Sequence, residues 1–155
     1  MSSARKVLNE STLTFLSRSA NEGFARTAAA CFAAQLDPTL DEVNDIKTAV
    51  SEAVTNCIVH AYPDCLGAIT MRLRLLEDNS VEIVVRDKGV GIADVEQARA
   101  PLFTTGDASR SGMGFTIMES FMDGVRVRSA PGRGTTVTMN KRISRRAGGP
   151  AGGLK

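Results

Sequence analysis

Two segments in the middle of the chain alternate between apolar and polar residues, the pattern of a half-buried β-strand. In residues 68–76, every second side chain from Ile69 to Leu75 is apolar, and those between are threonine or arginine. Residues 81–87 repeat the pattern after a polar turn. Because side chains on a strand repeat with period two, Asp87 is predicted to point into the core. A buried carboxylate is costly unless donors surround it, so Asp87 is a candidate binding residue.

Two longer segments have the apolar spacing of amphipathic helices. The first covers residues 21–36 and ends before Pro38, which excludes helical backbone in the residue before it. Its predicted inward face consists of Phe24, Ala28, Cys31, Phe32 and Leu36. The second begins at Thr39, which is predicted to form a capping box with Glu42, and it ends at Tyr62. Its predicted inward face consists of Val43, Ile46, Val50, Ala53, Val54 and Cys57.

The remaining elements complete a two-layer domain. They are strands at 11–17, around 125–127 and at 135–142, and a helix at 113–123. Residues 88–112 form a long loop with a short helix near 94–100, and a loop of this length in a compact domain is usually functional. The element order predicts an α+β sandwich, with a mixed, mostly antiparallel sheet and helices on one face. We expect a flexible N-terminus over 1–10, one domain over 11–143 and a disordered Gly-rich tail over 144–155.

Composition narrows the class of protein. A chain of 155 residues fits one domain, and 43% hydrophobic with 23% charged residues is typical of a soluble globular protein. The net charge of +2 gives no reason to expect nucleic acid as a direct partner. The three cysteines match no metal or disulfide framework, so we expect buried, reduced thiols and a cytoplasmic protein. No apolar run is long enough to span a membrane, and the N-terminus has no signal-peptide pattern.

Glu52 and Asn56 are four residues apart on the second predicted helix, so their side chains are neighbours. A carboxylate beside a carboxamide can hold Mg²⁺ through one group and position a nucleophile through the other. Taken alone, such a pair more often lies on a solvent-exposed helix surface and has no role in catalysis or binding. His60 follows one turn later, and for a lone histidine at a helix end a structural role is favoured over a catalytic one.

Residues 87–91 read Asp-Lys-Gly-Val-Gly and open the long loop after a strand. The inward carboxylate of Asp87 can accept a hydrogen bond from an exocyclic amine such as adenine N6. Gly89 and Gly91 allow the backbone to approach a flat ring closely. Thr135 faces inward on the last predicted strand and can join the same network through water. In isolation, a plain turn and an ordinary strand threonine explain these residues at least as well.

Gly112, Met113 and Gly114 precede the third predicted helix. Exposed amides and the positive end of a helix dipole attract phosphate, and Arg110 can contact a terminal phosphate. A flexible helix entry is the plain alternative. The sequence contains no P-loop pattern, which excludes that class of nucleotide site. Asp94 stands where a dinucleotide fingerprint requires a small residue, so a Rossmann site is not expected.

These four patterns occur in one order along the chain: Glu-x-x-x-Asn, Asp-x-Gly-x-Gly, Gly-x-Gly and Gly-Thr. The order resembles the N, G1, G2 and G3 boxes of the GHKL ATPases, which include gyrase and histidine kinases. That resemblance implies the Bergerat α/β sandwich and an ATP site, and its layers agree with the predicted elements.

A closer resemblance covers about residues 11–143. The stretches that carry it are Asn-Glu-Gly-Phe-Ala-Arg (21–26), Gln-Leu-Asp-Pro-Thr-Leu-Asp-Glu (35–42), Val-Ser-Glu-Ala-Val-Thr-Asn (50–56), Pro-Leu-Phe-Thr-Thr (101–105) and Arg-Ser-Gly-Met-Gly-Phe-Thr-Ile-Met-Glu (110–119). They are similar to the sporulation anti-sigma-F factors of endospore-forming bacteria. The resemblance implies a homodimer in the developing forespore that silences a sigma factor when loaded with ATP. It also implies phosphorylation of a serine on an anti-anti-sigma protein, the partner that the ADP state favours.

The resemblance also implies residue roles, with Glu52 as general base and Asn56 as the Mg²⁺ ligand. The residues implied to surround ATP or ADP are Asn56, Asp87, Gly89, Gly91, Thr104, Thr105, Arg110, Gly112, Met113, Gly114 and Thr135. Arg26 matches the partner-contact arginine of the family, and its helical position, roughly 200° from Phe24, predicts exposure. Ala61 departs from the family, where glycine is common at that site.

Three other functions remain open from the sequence. A general-stress anti-sigma kinase would have the same site and bind another sigma factor. The ATP-binding domain of a sensor histidine kinase would need an upstream dimerisation helix with a phosphoacceptor histidine, and none is visible. A pure binding module would use the nucleotide only to regulate its affinity for a partner.

Overall fold

The structure is a computed structural model that describes residues 5–99 and 114–144. The strands are β1 (Val7–Leu16), β2 (Ala68–Leu76), β3 (Ser80–Asp87), β4 (Gly124–Ala130) and β5 (Gly134–Arg142). The helices are α1 (Ala20–Ala33), α2 (Leu40–Asn56), α3 (Val95–Arg99) and α4 (Gly114–Phe121). A 3₁₀ turn (Ala34–Leu36) follows α1, and a π-helical turn (Cys57–Ala61) follows α2.

The five strands form one sheet in the order β1-β2-β3-β5-β4, and all four pairings are antiparallel. The inward side chains of β2 and β3 meet α1, α2 and α4 in the core. The α+β sandwich with helices on one face is therefore confirmed, and the described strands contain no parallel pair. None of the described helices is long and apolar enough to cross a membrane.

The start of α2 is the one that the sequence predicts. The Glu42 amide donates to Thr39 Oγ1 (3.1 Å), and the Thr39 amide donates to Glu42 Oε1 (2.8 Å), which completes the capping box. Ile46, Val50 and Val54 are fully buried, so the inward face of α2 is also the predicted one. The cap and the buried face together fix which side of α2 presents Glu52 and Asn56.

The predicted inward face of the first helix is correct at Leu36, which is buried, but wrong at Phe24 and Cys31. Phe24 is 51% exposed and Cys31 is exposed, whereas Ala25, Ala29 and Ala33 are fully buried. Alanines at every fourth position make a smooth face that allows α1 to lie close to α2. The prediction gave weight to residue size and missed this close packing.

Two further expectations are corrected. Cys65, like Cys31, is exposed, so only Cys57 is the buried thiol that the sequence predicted. The N-terminal segment 1–10 is not wholly flexible, because β1 begins at Val7 and pairs with β2 from there. Of the expected tail, residues 145–155 lie outside the described residues.

Candidate functional site

A cleft of about 120 Å³, partly open to solvent, lies where α2 and α4 meet the ends of β3 and β5. The described residues that line it are Ala53, Asn56, Cys57, His60, Ala61, Asp87, Gly91, Ile92, Ala98, Phe115, Thr135 and Val137. Four of the predicted nucleotide-site residues, Asn56, Asp87, Gly91 and Thr135, are therefore brought to one cleft.

Asp87 ends β3 with its side chain pointing inward, as predicted, and is 5% exposed. Its Oδ1 accepts hydrogen bonds from the amides of Gly89 (2.9 Å) and Thr135 (3.1 Å). Its Oδ2 accepts one from the Cys57 thiol (3.4 Å). The carboxylate is thus held by donors from β5, the loop after β3 and the end of α2, which offsets its burial.

The Cys57 contact is a feature that the sequence reasoning missed. Cys57 is buried, and burial together with the charge of Asp87 raises the pKa of its thiol well above the ordinary value. The thiol therefore stays protonated at neutral pH and acts as the donor to Asp87. In the sequence, Cys57 lies on the predicted inward face of the second helix. That position indicates that Cys57 is buried, but it does not indicate a hydrogen bond to Asp87.

Ser129 also went unnoticed in the sequence, although it fixes the hydroxyl of Thr135. The Ile92 amide donates to Ser129 Oγ (2.7 Å), which itself donates to the Gly134 carbonyl (2.9 Å). Thr135 Oγ1 lies 2.8 Å from Ser129 Oγ. Since Ser129 has one hydroxyl proton, Thr135 donates in this pair, and its own oxygen remains an acceptor facing the cleft.

The glycines of residues 87–91 are required by neighbouring backbone. A Cβ on Gly89 would lie 2.2 Å from the Ala61 carbonyl oxygen, and one on Gly91 2.0 Å from that of Ala130. Gly91 also has a φ of +78°, which favours glycine. These glycines allow the loop that follows Asp87 to pack directly against the backbone of Ala61 and Ala130. The sequence predicts only that they let a flat ring approach the backbone, and it does not predict this packing role.

Glu52 and Asn56 lie one turn apart near the end of α2, and both are partly buried. Burial raises the pKa of Glu52, and the charge of Glu22 adds to the rise. Gly114 begins α4 beside Asn56: a Cβ on Gly114 would lie 3.2 Å from Asn56 Nδ2. The structure therefore places Asn56, from the first sequence pattern, beside Gly114, the last residue of the third.

Arg26 is on α1, and its side chain is 38% exposed. Its guanidinium forms an ion pair with Glu22 (2.8 Å) and a weaker hydrogen bond with Ser51 Oγ (3.5 Å). The predicted exposure is therefore partial, and Phe24 is exposed on the same helix. Arg26 thus lies at the surface next to the residue that precedes Glu52.

Some predicted residues lie outside the described residues: Thr104, Thr105, Arg110, Gly112 and Met113. Within the described ranges there is no cluster of three or more histidine, cysteine or acidic side chains that could hold a metal ion.

Comparison with known proteins agrees with this geometry. The family model described as "Histidine kinase-like ATPase domain" matches residues 15–141. Fold and cleft thus define the class of protein, a histidine kinase-like ATPase domain. An anti-sigma F factor of Caldanaerobacter subterraneus is 59% identical over 138 residues, covering 88% of this chain and 96% of its own. An anti-sigma F factor of Bacillus subtilis is 53% identical over 139 residues, covering 88% and 94%. The chain belongs to the anti-sigma F factor family.

Solved structures share the fold. The RsbU and RsbW domains of a Mycobacterium tuberculosis protein superpose with a TM-score of 0.66 at 22% identity, over 88% of this chain and 32% of that one. The blue-light activated histidine kinase of Erythrobacter litoralis EL346 gives a TM-score of 0.55 at 24% identity, over 72% of this chain and 33% of the other. This chain spans about a third of each of those longer polypeptides, and the likeness concerns the fold alone.

Proposed function

We propose that this protein is a cytoplasmic anti-sigma factor that binds ATP and ADP in the cleft and acts as a protein-serine kinase. In its ATP state it binds and inhibits a sporulation sigma factor of the sigma-F type, in the developing forespore. Its phosphoryl acceptor is a serine of an anti-anti-sigma protein. Membership of the anti-sigma F factor family supports this proposal, and the cleft supplies the chemistry.

One observation carries the nucleotide assignment: a buried carboxylate lines the cleft with an acceptor position left over. Asp87 Oδ1 is occupied by two amides, whereas the one donor to Oδ2 among the described residues is the Cys57 thiol. A carboxylate oxygen can accept two hydrogen bonds, so Oδ2 can take one N–H from a ligand. The adenine exocyclic amine provides such a donor, and the apolar wall of Ile92 and Val137 suits a flat base.

The donor set near Asn56 is suited to magnesium. Mg²⁺ usually keeps several waters and binds few protein ligands when substrate phosphates complete its shell. The Asn56 carboxamide supplies one oxygen, next to Gly114 at the start of α4. Asn56 would hold the ion, and the ion would neutralise phosphate charge.

Glu52 is proposed to accept the proton of the incoming serine hydroxyl. The serine oxygen forms a bond to the γ-phosphorus, the bond from the γ-phosphorus to the bridging oxygen breaks, and ADP leaves. Positioning and charge neutralisation dominate such transfers, so a carboxylate one turn from Asn56 is well placed. The raised pKa of Glu52 also brings its basicity closer to that of an effective general base.

The first test measures ADP binding by calorimetry in wild-type protein and in Asp87→Asn. Loss of the charged acceptor is expected to weaken ADP binding by roughly 10- to 150-fold. The control is Asp64→Asn, since Asp64 is exposed and lies outside the cleft. Unchanged ADP affinity in Asp87→Asn would contradict the adenine assignment.

The second test follows phosphate transfer from labelled ATP to the anti-anti-sigma protein. Acid-stable phosphoserine is expected, and acid-labile phosphohistidine would instead support a histidine kinase. Glu52→Gln is expected to lower the transfer rate by about 10²- to 10⁴-fold. Glu77→Gln, in the β2–β3 turn, serves as control. A normal rate in Glu52→Gln would end the general-base assignment.

The third test concerns the partners. Arg26, at the surface beside Glu22, is proposed to contact them, and the protein is proposed to be a homodimer. Arg26→Ala should weaken complex formation with the sigma factor while ADP binding remains normal. Light scattering measures the oligomeric state. Capture of a general-stress sigma factor in place of a sporulation one would favour the sister family.

A further inference from the structure

We propose that Cys57 is a positioning residue for base recognition, because its thiol holds the Asp87 oxygen that faces the ligand. The inference rests on the proposed nucleotide site and adds a residue to it. Cys57 lies directly after Asn56, at the start of the π-helical turn, and lines the cleft. The two consecutive residues would thus serve different parts of one ligand, Asn56 the phosphate end and Cys57 the base.

The hydrogen-bond inventory of Asp87 carries the argument. A carboxylate oxygen has two acceptor positions, and the amides of Gly89 and Thr135 fill both positions of Oδ1. The Cys57 thiol fills one position of Oδ2. Among the described residues this leaves one acceptor position for an N–H donor of a ligand, which matches a base with one amine directed at the carboxylate.

The thiol is fixed in the donor role. Among the described residues its acceptor is Asp87 Oδ2, at 3.4 Å, and a carboxylate oxygen can only accept, so the sulfur donates. Cys57 is 4% exposed, so water does not compete freely for the thiol proton. Without the thiol, Oδ2 would lose its one protein donor, and the carboxylate would be oriented through Oδ1 alone.

Two substitutions of similar volume separate the hydrogen bond from packing. Cys57→Ser keeps a donor, and Cys57→Ala removes it. We expect ADP binding by calorimetry to weaken by about three- to tenfold in Cys57→Ala, because an S–H is a weak donor to a charged acceptor. Cys57→Ser should stay close to wild type. Cys31→Ser, an exposed cysteine, controls for a general effect of thiol removal.

A ligand without the amine gives the decisive comparison. Purine riboside diphosphate has a hydrogen in place of the exocyclic amine, so this ligand cannot donate a hydrogen bond to Asp87 Oδ2. The affinity difference between Cys57→Ala and Cys57→Ser should then disappear. A difference of equal size for both ligands would indicate a structural effect and would overturn the inference.

Infrared spectroscopy tests the hydrogen bond without any nucleotide. The S–H stretching band of Cys57 is assigned by its loss in Cys57→Ser, and Asp87→Asn should shift it. An unshifted band, or equal ADP affinity in Cys57→Ala and wild type, overturns the positioning role. If the wild-type protein itself binds no ADP, the proposed function fails, and the infrared result then stands as a separate test of the Cys57 contact.

Discussion

Asn56 and Gly114 lie against each other although they belong to different helices. A Cβ on Gly114 would be 3.2 Å from Asn56 Nδ2 and 3.3 Å from its Oδ1. Those separations are tight for carbon, so a side chain at position 114 would require the carboxamide to move. The absence of a side chain at the start of α4 therefore keeps the Asn56 carboxamide in its place at the cleft.

Gly114→Ala is expected to weaken nucleotide binding without weakening the fold. Displacing the Asn56 carboxamide should cost a contact with a charged ligand group, typically about 1.5–3 kcal/mol, which corresponds to roughly 10- to 150-fold in ADP affinity. Alanine is favoured over glycine in a helix by about 0.5–1 kcal/mol, so the melting temperature should hold or rise. Gly23→Ala is the matched control, because its Cβ would make only an ordinary 3.5 Å contact. Equal affinity in both variants would contradict the prediction.

Gly91 and Gly132 provide a matched pair for backbone packing. Both have positive φ, +78° and +75°, but a Cβ on Gly132 would meet nothing within 4 Å. Gly132→Ala should therefore cost only the left-handed strain of about 1–2 kcal/mol in unfolding free energy. Gly91→Ala should cost more, because its Cβ would lie 2.0 Å from the Ala130 carbonyl oxygen. Urea denaturation of the two variants measures the difference, and equal losses would refute it.

The sequence predicts best what local periodicity determines. The strand from Ala68 to Leu76 and the inward direction of Asp87 follow from period two, and the capping box at Thr39 follows from a spacing of three residues. Each of these depends on neighbours in the chain. Such features were confirmed almost to the residue.

Long-range contacts were beyond the sequence. The Cys57 thiol meets Asp87 across 30 residues, and the sequence gives no sign of that pairing. The requirement for Gly91 likewise comes from Ala130, which approaches only once β4 and β5 are paired. The buried alanine face of α1, including Ala29, depends on how closely α2 packs. These features arise from tertiary packing, which periodicity does not encode.

Glu52 is expected to titrate above the ordinary glutamate pKa, which is about 4.3. Burial raises its pKa and the charge of Glu22 adds to the rise. A raised carboxyl pKa means that the folded protein binds this proton more tightly than the unfolded chain does. The acid limb of the kinase rate should therefore lie at higher pH than for an ordinary glutamate. Carbon-13 NMR of the Glu52 carboxyl measures the midpoint directly.

Glu22→Gln should lower the Glu52 midpoint, because it removes the neighbouring negative charge. Glu77→Gln, in the turn between β2 and β3, should leave that midpoint unchanged. If the Glu52 midpoint in the wild-type protein lay at or below the ordinary glutamate pKa, burial would not raise the pKa of Glu52, and the prediction would be wrong. The Glu22 variant also loses its ion pair with Arg26, so partner binding is measured separately.

Glu42 joins the start of α2 to the end of the last strand. Its Oε1 accepts from the Thr39 amide (2.8 Å) and its Oε2 from the Ser144 amide (2.9 Å). Burial alone would raise the pKa of Glu42, but the hydrogen bonds from Thr39 and Ser144 outweigh it and lower the pKa. A lowered carboxyl pKa stabilises the fold above the unfolded pKa of about 4.3, and that stabilisation is lost as pH falls through the folded value.

Glu42→Gln should therefore destabilise the protein at neutral pH by about 1 kcal/mol, because glutamine keeps an acceptor for the Thr39 amide but loses the charge and the acceptor for the Ser144 amide. The difference from wild type should shrink as the pH falls through the lowered pKa of folded Glu42, where the wild-type carboxyl also becomes protonated. Urea denaturation across that range measures it. Thr39→Ala removes the uncharged half of the same capping box, so its cost should persist at every pH. If the cost of Glu42→Gln were equally independent of pH, the charge on Glu42 would contribute nothing to the hydrogen bonds that tie α2 to residue 144.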